Sequence, residues 1–162
     1  MLKAIWAPVA ALALLGCAAT MDGQGNAPAA QQPTPQQIVA ARQASFHLTG
    51  AAMGNMRAAI ERGGDVSGQA YAARGVARWA AALPTMFPAS TSAITPSRAK
   101  PEIWANKADF DAKAAAFAAA ATRLAELAQA NDKEGFAAQH RATAATCAAC
   151  HDLYQVPQNR GS

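Results

Sequence analysis

The chain has 162 residues, which suits one domain together with an export segment. Hydrophobic residues make up 52% of it, charged residues 15% and aromatic residues only 6%, and because much of the apolar fraction is alanine we expect close-packed helices rather than sheets. The formal net charge is +4, but the basic residues are scattered and form no run that would follow a phosphate backbone, so nucleic acid is not an expected partner.

Residues 1–17 are predicted to be an export signal. Lys3 precedes an apolar stretch, residues 4–15, that is too short to span a bilayer. The stretch ends in Leu-Leu-Gly-Cys17, which resembles the lipobox of bacterial lipoproteins, whose cysteine is acylated and becomes the first residue of the mature protein. An ordinary signal peptide cleaved after Ala19 is the alternative. Both interpretations export the protein, and we expect it in the periplasm, with a lipid on Cys17 as its possible membrane tether.

Residues 18–34 are rich in Ala, Gln, Gly and Pro and show no apolar period, which predicts a flexible tether. The folded domain is predicted for residues 35–156, followed by a short tail at 157–162. It begins with Thr34-Pro35-Gln36-Gln37, the pattern of a capping box with proline at the first helical position.

Four helices are predicted within this domain. In chain order they cover residues 35–62, 67–83, 102–130 with a possible break near Asn106, and 133–155. Gly63-Gly64 ends the first helix, Pro84 ends the second, and Asn131-Asp132 caps the fourth. Residues 84–101 hold four prolines and form a long crossover loop. The order predicts an all-α, antiparallel four-helix bundle with one long loop between its second and third helices.

Near the C-terminus the sequence Cys147-Ala148-Ala149-Cys150-His151 has the spacing of covalent haem attachment. Residues three apart share one face of a helix, so both thiols can reach the two vinyl groups along one edge of a porphyrin. The next residue, His151, can then offer its imidazole to the iron. We therefore predict one haem c per chain, held by Cys147 and Cys150, with His151 as the axial ligand.

Two other uses of this motif are less consistent with the sequence. A thioredoxin-type redox pair requires a β-α-β setting, and no strand is predicted. A zinc site requires four ligands, and no second Cys or His pair occurs at ligand spacing.

Four stretches, in this order and spacing, resemble the cytochrome c′ family of class II c-type cytochromes. They are ARQASF at 41–46, LPTMFP at 83–88, KPEIWA at 100–105 and CAACHDLY at 147–154. The resemblance covers about residues 35–156 and implies a four-helix bundle that carries its haem near the C-terminus. The family commonly has a basic residue four positions after the haem histidine, where this chain has Gln155.

The resemblance also implies roles for residues of the first helix. Arg42 would pair with a haem propionate, Gln43 would lie beside the haem, and Phe46 would cover the distal side of the iron. Phe46 cannot bind iron, so this register predicts five-coordinate iron. A register shifted by one residue would instead present His47 as a sixth ligand, because neighbouring helical residues point about 100° apart.

The resemblance implies a haem protein that carries electrons and binds nitric oxide and carbon monoxide, rather than an enzyme. A six-coordinate electron shuttle with His47 as a ligand is one alternative. A haem peroxidase is another, and it would require His47 as a distal acid–base group. The family often forms dimers through its first two helices, so a homodimer is expected to be possible. The sequence identifies no redox partner.

Overall fold

A computed structural model describes residues 32–157, and within this range the chain forms four long helices and one single-turn helix. These are α1 (Pro35–Arg62), α2 (Ala70–Ala82), α3 (Glu102–Ala105), α4 (Lys107–Gln129) and α5 (Lys133–Tyr154). A short 3-10 turn at Ser67–Gln69 precedes α2, and two more, at Leu83–Met86 and Ala89–Thr91, lie in the crossover loop. The predicted all-α four-helix bundle is confirmed. No helix in the described range is long and apolar enough to cross a membrane.

The ends of the helices follow from local chemistry. Thr34 and Gln37 form the predicted capping box, with each side chain accepting a hydrogen bond from the other's backbone N–H. Gly63, at φ 69°, ends α1 in the left-handed conformation that glycine adopts without strain. At Asn106 the backbone leaves helical geometry, which separates α3 from α4 where the sequence suggested a break.

Packing within the bundle is uneven. Fully buried alanines on α2 and α4, among them Ala73, Ala80 and Ala121, let these two helices approach closely. Helix α5 also packs extensively against α4, whereas α1 makes fewer contacts with α2 and α5. This looser packing leaves a cavity beside α1, which is lined by residues of α1, α4 and α5.

Candidate haem site

The last two turns of α5 carry both cysteines and His151. The two thiols are half-buried, and this burial raises the pKa of each above its ordinary value. Sγ of Cys147 donates a weak hydrogen bond to the carbonyl of Thr143 at 3.6 Å. Both cysteines therefore stay as protonated thiols at neutral pH, facing the space between α5, α4 and α1.

Two cavities meet at this part of α5. The first, of about 390 Å³, lies among α1, α4 and α5 and is mostly apolar, with Met53 and Phe117 in its wall beside both cysteines. The second, of about 720 Å³, opens toward the crossover loop and includes Arg42 and Arg98. The two share five lining residues: Phe46, Phe110, Cys150, His151 and Gln155. Together the cavities form one extended space with Phe46 and His151 at its middle.

Phe46 faces His151 across this space. The ring centroids are 6.3 Å apart, and the ring planes meet at 73°. The indole of Trp79 also packs against Phe46, in a T-shaped contact with centroids 5.4 Å apart. His47, the next residue, is exposed and lies at the rim of the second cavity. Residue 46, rather than residue 47, thus presents its ring to the haem-motif histidine.

Arg42 is buried, with a side chain only 2% exposed, and it binds the crossover loop. Its guanidinium donates to the carbonyl of Met86 and to the hydroxyls of Thr91 and Ser97 at 3.0–3.2 Å. The cation also lies 4.3 Å from the ring centroid of Phe87. All three acceptors are neutral, and burial lowers the arginine's pKa. Among residues 32–157 no carboxylate balances this buried charge.

Gln43 is exposed at the rim of the second cavity, where its side-chain amide donates to the carbonyl of Pro96 at 3.0 Å. Arg42 and Gln43 thus both attach α1 to the crossover loop, four and three residues before Phe46. Cys17, the candidate lipidation site, lies outside the described residues.

The end of α5 is clamped by the second half of the crossover loop. The backbone N–H of Lys100 donates to the carbonyl of Tyr154 at 3.0 Å, and that of Val156 donates to the carbonyl of Arg98 at 2.8 Å. Between them, Ala99 and Gln155 form an antiparallel bridge. The guanidinium of Arg98 then donates twice to the carbonyl of Val156, at 2.9 and 2.7 Å. This clamp fixes the chain directly after His151.

The positive charge of Arg98 affects the pKa of His151, the histidine of the haem motif. Desolvation on the cavity side, and then the nearby positive charge of Arg98, lower the pKa of the His151 imidazole. The neutral imidazole, which is the form that binds metals, is therefore favoured at neutral pH.

Two further contacts join α5 to its neighbours, and neither is evident from sequence motifs. The hydroxyl of Tyr154 donates a short hydrogen bond to Asp109 of α4, and this bond is the main reason that the pKa of Tyr154 is raised to about 12. Nε2 of His140 lies 2.9 Å from the backbone carbonyl oxygen of Met53 on α1. Because a carbonyl can only accept, this ring nitrogen carries the hydrogen and donates the hydrogen bond. His140 is therefore a helix-to-helix bridge at the far end of the first cavity.

The residues present fit a covalently attached haem. Phe46 and His151 line the same space, with ring centroids 6.3 Å apart, so a flat ligand bound by His151 would have Phe46 beside it. Both thiols and the imidazole reach the same space. Arg42 offers an uncompensated buried cation to a ligand that carries carboxylates.

Comparison with known proteins agrees with this chemistry. The family model for cytochrome c′ matches residues 37–155. Over 119 residues the chain is 36% identical to cytochrome c-556 of Agrobacterium tumefaciens (strain B2A), a match that spans 71% of this chain and 93% of that protein.

Solved structures are similar over the same region. A cytochrome c′ with ligand-controlled dimer dissociation matches with a TM-score of 0.72 at 26% identity. A nitric oxide complex of a mutant cytochrome c prime from Alcaligenes xylosoxidans matches with a TM-score of 0.70, also at 26% identity. Each match covers 78% of this chain and 100% of the other chain.

Proposed function

Because the chain belongs to the cytochrome c′ family and binds haem c covalently, we propose that it is an exported protein that transfers electrons and binds small gases, nitric oxide among them, at high-spin, five-coordinate iron. The bound haem supplies a one-electron ferric–ferrous couple and an open coordination position on the iron.

The protein holds the haem through α5. Cys147 and Cys150 would hold the haem through two thioether bonds, each formed by addition of a thiol S–H across one vinyl group. The neutral imidazole of His151 would bind the iron. The clamp that follows Tyr154 keeps this end of the helix in place, so the ligand is held in a fixed orientation.

The contact between Phe46 and His151 carries the five-coordinate assignment. A phenyl ring has no atom that can bind iron, and a ring opposite the axial histidine fills the volume in which a sixth ligand would sit. Trp79 packs against the phenyl ring and limits its movement. Water and polar ligands are therefore disfavoured, whereas a small uncharged gas can bind when the ring shifts. A nitric oxide complex has been solved for a mutant of the similar cytochrome c prime from Alcaligenes xylosoxidans.

The alternatives depend on His47, which is exposed at the rim of the second cavity, whereas Phe46 pairs its ring with that of His151. A six-coordinate shuttle would require His47 to replace Phe46 at the iron. A peroxidase would require a distal acid–base group, and Phe46 supplies none. We therefore assign no catalytic residue and propose electron transfer with gas binding rather than an enzymatic reaction.

The remaining parts of the proposal concern location and assembly. The leader and Cys17 support export to the periplasm, with a lipid on Cys17 as a membrane tether. A homodimer is proposed because a structurally similar cytochrome c′ shows ligand-controlled dimer dissociation. The family resemblance suggests α1 and α2 as the interface.

Haem attachment and gas binding can be tested on one preparation. The denatured protein should give a c-type pyridine haemochrome spectrum at one haem per chain, and acid–acetone should not extract the haem. Cys147→Ser and Cys150→Ser should each reduce or abolish this attachment, whereas Ala148→Ser, at an exposed position between them, should not. The reduced protein should then bind nitric oxide and carbon monoxide. A protein whose haem is fully extractable, or whose reduced iron binds neither gas, would contradict the proposal.

A further inference from the structure

Arg98 lies in the wall of the second cavity, and the function proposed so far gives its guanidinium no contact with a ligand. The cavity is lined by two arginines, Arg42 and Arg98, and by no acidic side chain of the described residues. Neither arginine forms a salt bridge within the described range. A cavity with two unbalanced cations and no anion is suited to a ligand that carries two negative charges.

The first cavity also contains two cations, but these are balanced. Arg57 pairs with Glu61 at 2.8 Å, and Lys113 lies 3.8 Å from Asp109. Both pairs are formed within single helices and compensate the charges locally. The two ends of the combined space therefore differ, and only the second cavity offers unpaired positive charge.

The positions of the cysteines give the haem a direction. Cys147 lines the first cavity only, Arg42 and Arg98 line the second only, and Cys150 and His151 line both. The vinyl groups that bond to the cysteines lie on the porphyrin edge opposite the two propionates. A macrocycle that extends from Cys147 past His151 therefore carries its carboxylates into the cavity with the unpaired arginines.

Arg98 retains donors for such a carboxylate. Its Nε and one hydrogen of Nη2 bind the carbonyl of Val156, which leaves three of its five N–H groups. The clamp between residues 98–100 and 154–156 holds its backbone, so the guanidinium is positioned before a ligand arrives. Arg42 donates three of its five N–H groups in hydrogen bonds to the crossover loop, which leaves two for a ligand.

We propose that Arg98 is a second carboxylate-binding residue for the haem, which holds one propionate while Arg42 faces the other. The assignment rests on the haem placement proposed above. The crossover loop would then take a direct part in binding the cofactor, because it contains Arg98 and its hydrogen bonds orient Arg42.

The test is the midpoint potential of the purified haem-containing protein at low ionic strength, where exposed charges are least screened. A cation beside a propionate disfavours the ferric state, so Arg98→Gln should lower the midpoint potential. Arg98→Lys, which keeps the charge, should restore most of the difference. Arg74→Gln, at an exposed position on α2, should leave the potential unchanged.

A second control separates binding from the mechanical effect of the clamp. The Nζ of Lys100 donates to the carbonyl of Asp152 at 3.3 Å, but Lys100 does not line the second cavity. Lys100→Gln should therefore lower the unfolding temperature, as Arg98→Gln does, and shift the potential much less. Equal shifts in the two variants, or no shift in Arg98→Gln, would overturn the proposal.

A diffusible anion is the other possible occupant, and inorganic phosphate tests for it. If a propionate occupies Arg98, added phosphate at constant ionic strength should leave the potential of the parent protein unchanged. A phosphate-dependent shift that Arg98→Gln abolishes would contradict the proposal. Because every variant is compared at full covalent haem content, failure of this inference is distinct from failure of haem attachment.

Discussion

The rings of Phe46 and His151 face each other from α1 and α5, with centroids 6.3 Å apart. Both rings line the same two cavities, so Phe46 would border a macrocycle bound by His151, and a phenyl ring offers no atom that can bind iron. Under the proposed function, the size of residue 46 would determine which molecules can reach the iron.

Shortening Phe46 should open the distal side. Phe46→Ala should bind carbon monoxide and oxygen more readily than the parent, because the vacated volume would lie beside the iron that His151 binds. Replacing a core phenylalanine with alanine typically costs about 3–5 kcal/mol, and since Phe46 is only partly buried we expect a loss at the lower end of that range. Gas affinities by flash photolysis and urea unfolding measure the two effects. Phe46→Leu, which keeps most of the bulk, should behave like the parent, and equal affinities in all three proteins would contradict the steric role.

Arg42 should contribute strongly to stability through the crossover loop. Arg42→Met removes the donors to the Met86 carbonyl and the Thr91 hydroxyl, and unsatisfied buried acceptors are costly. We expect the free energy of unfolding to fall by about 2–4 kcal/mol. Arg74→Met, at an exposed position, should change it by no more than about 0.5 kcal/mol. Chemical unfolding measures both variants, and similar losses in the two would show that the loop does not depend on Arg42.

The hydrogen bond between Tyr154 and Asp109 should stabilise the fold up to alkaline pH. The pKa of Tyr154 is raised from 10.0 to about 12, so the folded state keeps this proton after the unfolded state has lost it. The resulting stability is fully present below pH 10 and is lost as the pH rises from about 10 to about 12.

Tyr154→Phe should therefore lower the free energy of unfolding by about 1 kcal/mol at pH 7, since Asp109 is half-exposed and water screens the bond. The difference from the parent should shrink above pH 10, and unfolding curves over this range measure it. Tyr71→Phe, at an 80% exposed position, is the matched control and should have no effect at pH 7. A Tyr154→Phe difference that grows with pH would contradict the assigned direction.

Lipidation of Cys17 stays a prediction from sequence. An acylated protein should sediment with membranes and should be released by detergent but not by high salt. Cys17→Ser should appear in the soluble periplasmic fraction or accumulate as precursor. A mature N-terminus at Thr20 in the parent protein would establish ordinary signal cleavage instead.

The sequence predicted those features that local patterns encode. The capping box at Thr34, the end of α1 at Gly63 and the break at Asn106 each depend on a few neighbouring residues, and all three occur in the structure. The bundle and the family were also predicted, because the haem motif and the shorter stretches have a specific order. The haem-site roles of individual residues stay predictions.

The contacts that hold the cavity together were not predicted. Arg42 binds Ser97, which is 55 residues away, and His140 binds Met53, which is 87 residues away. No periodic pattern links such pairs, because they depend on how the crossover loop and α5 settle against α1. Arg98 likewise lies in a proline-rich loop that gives no sequence sign of a charge directed at α5.

The spin state of the ferric iron in the parent protein tests the account most directly, and electron paramagnetic resonance measures it. With Phe46 opposite His151, the account predicts a high-spin signal from five-coordinate iron that His47→Ala leaves unchanged. A low-spin signal in the parent that becomes high-spin in His47→Ala would contradict the account. It would show that His47 binds the iron and that the protein is a six-coordinate electron carrier.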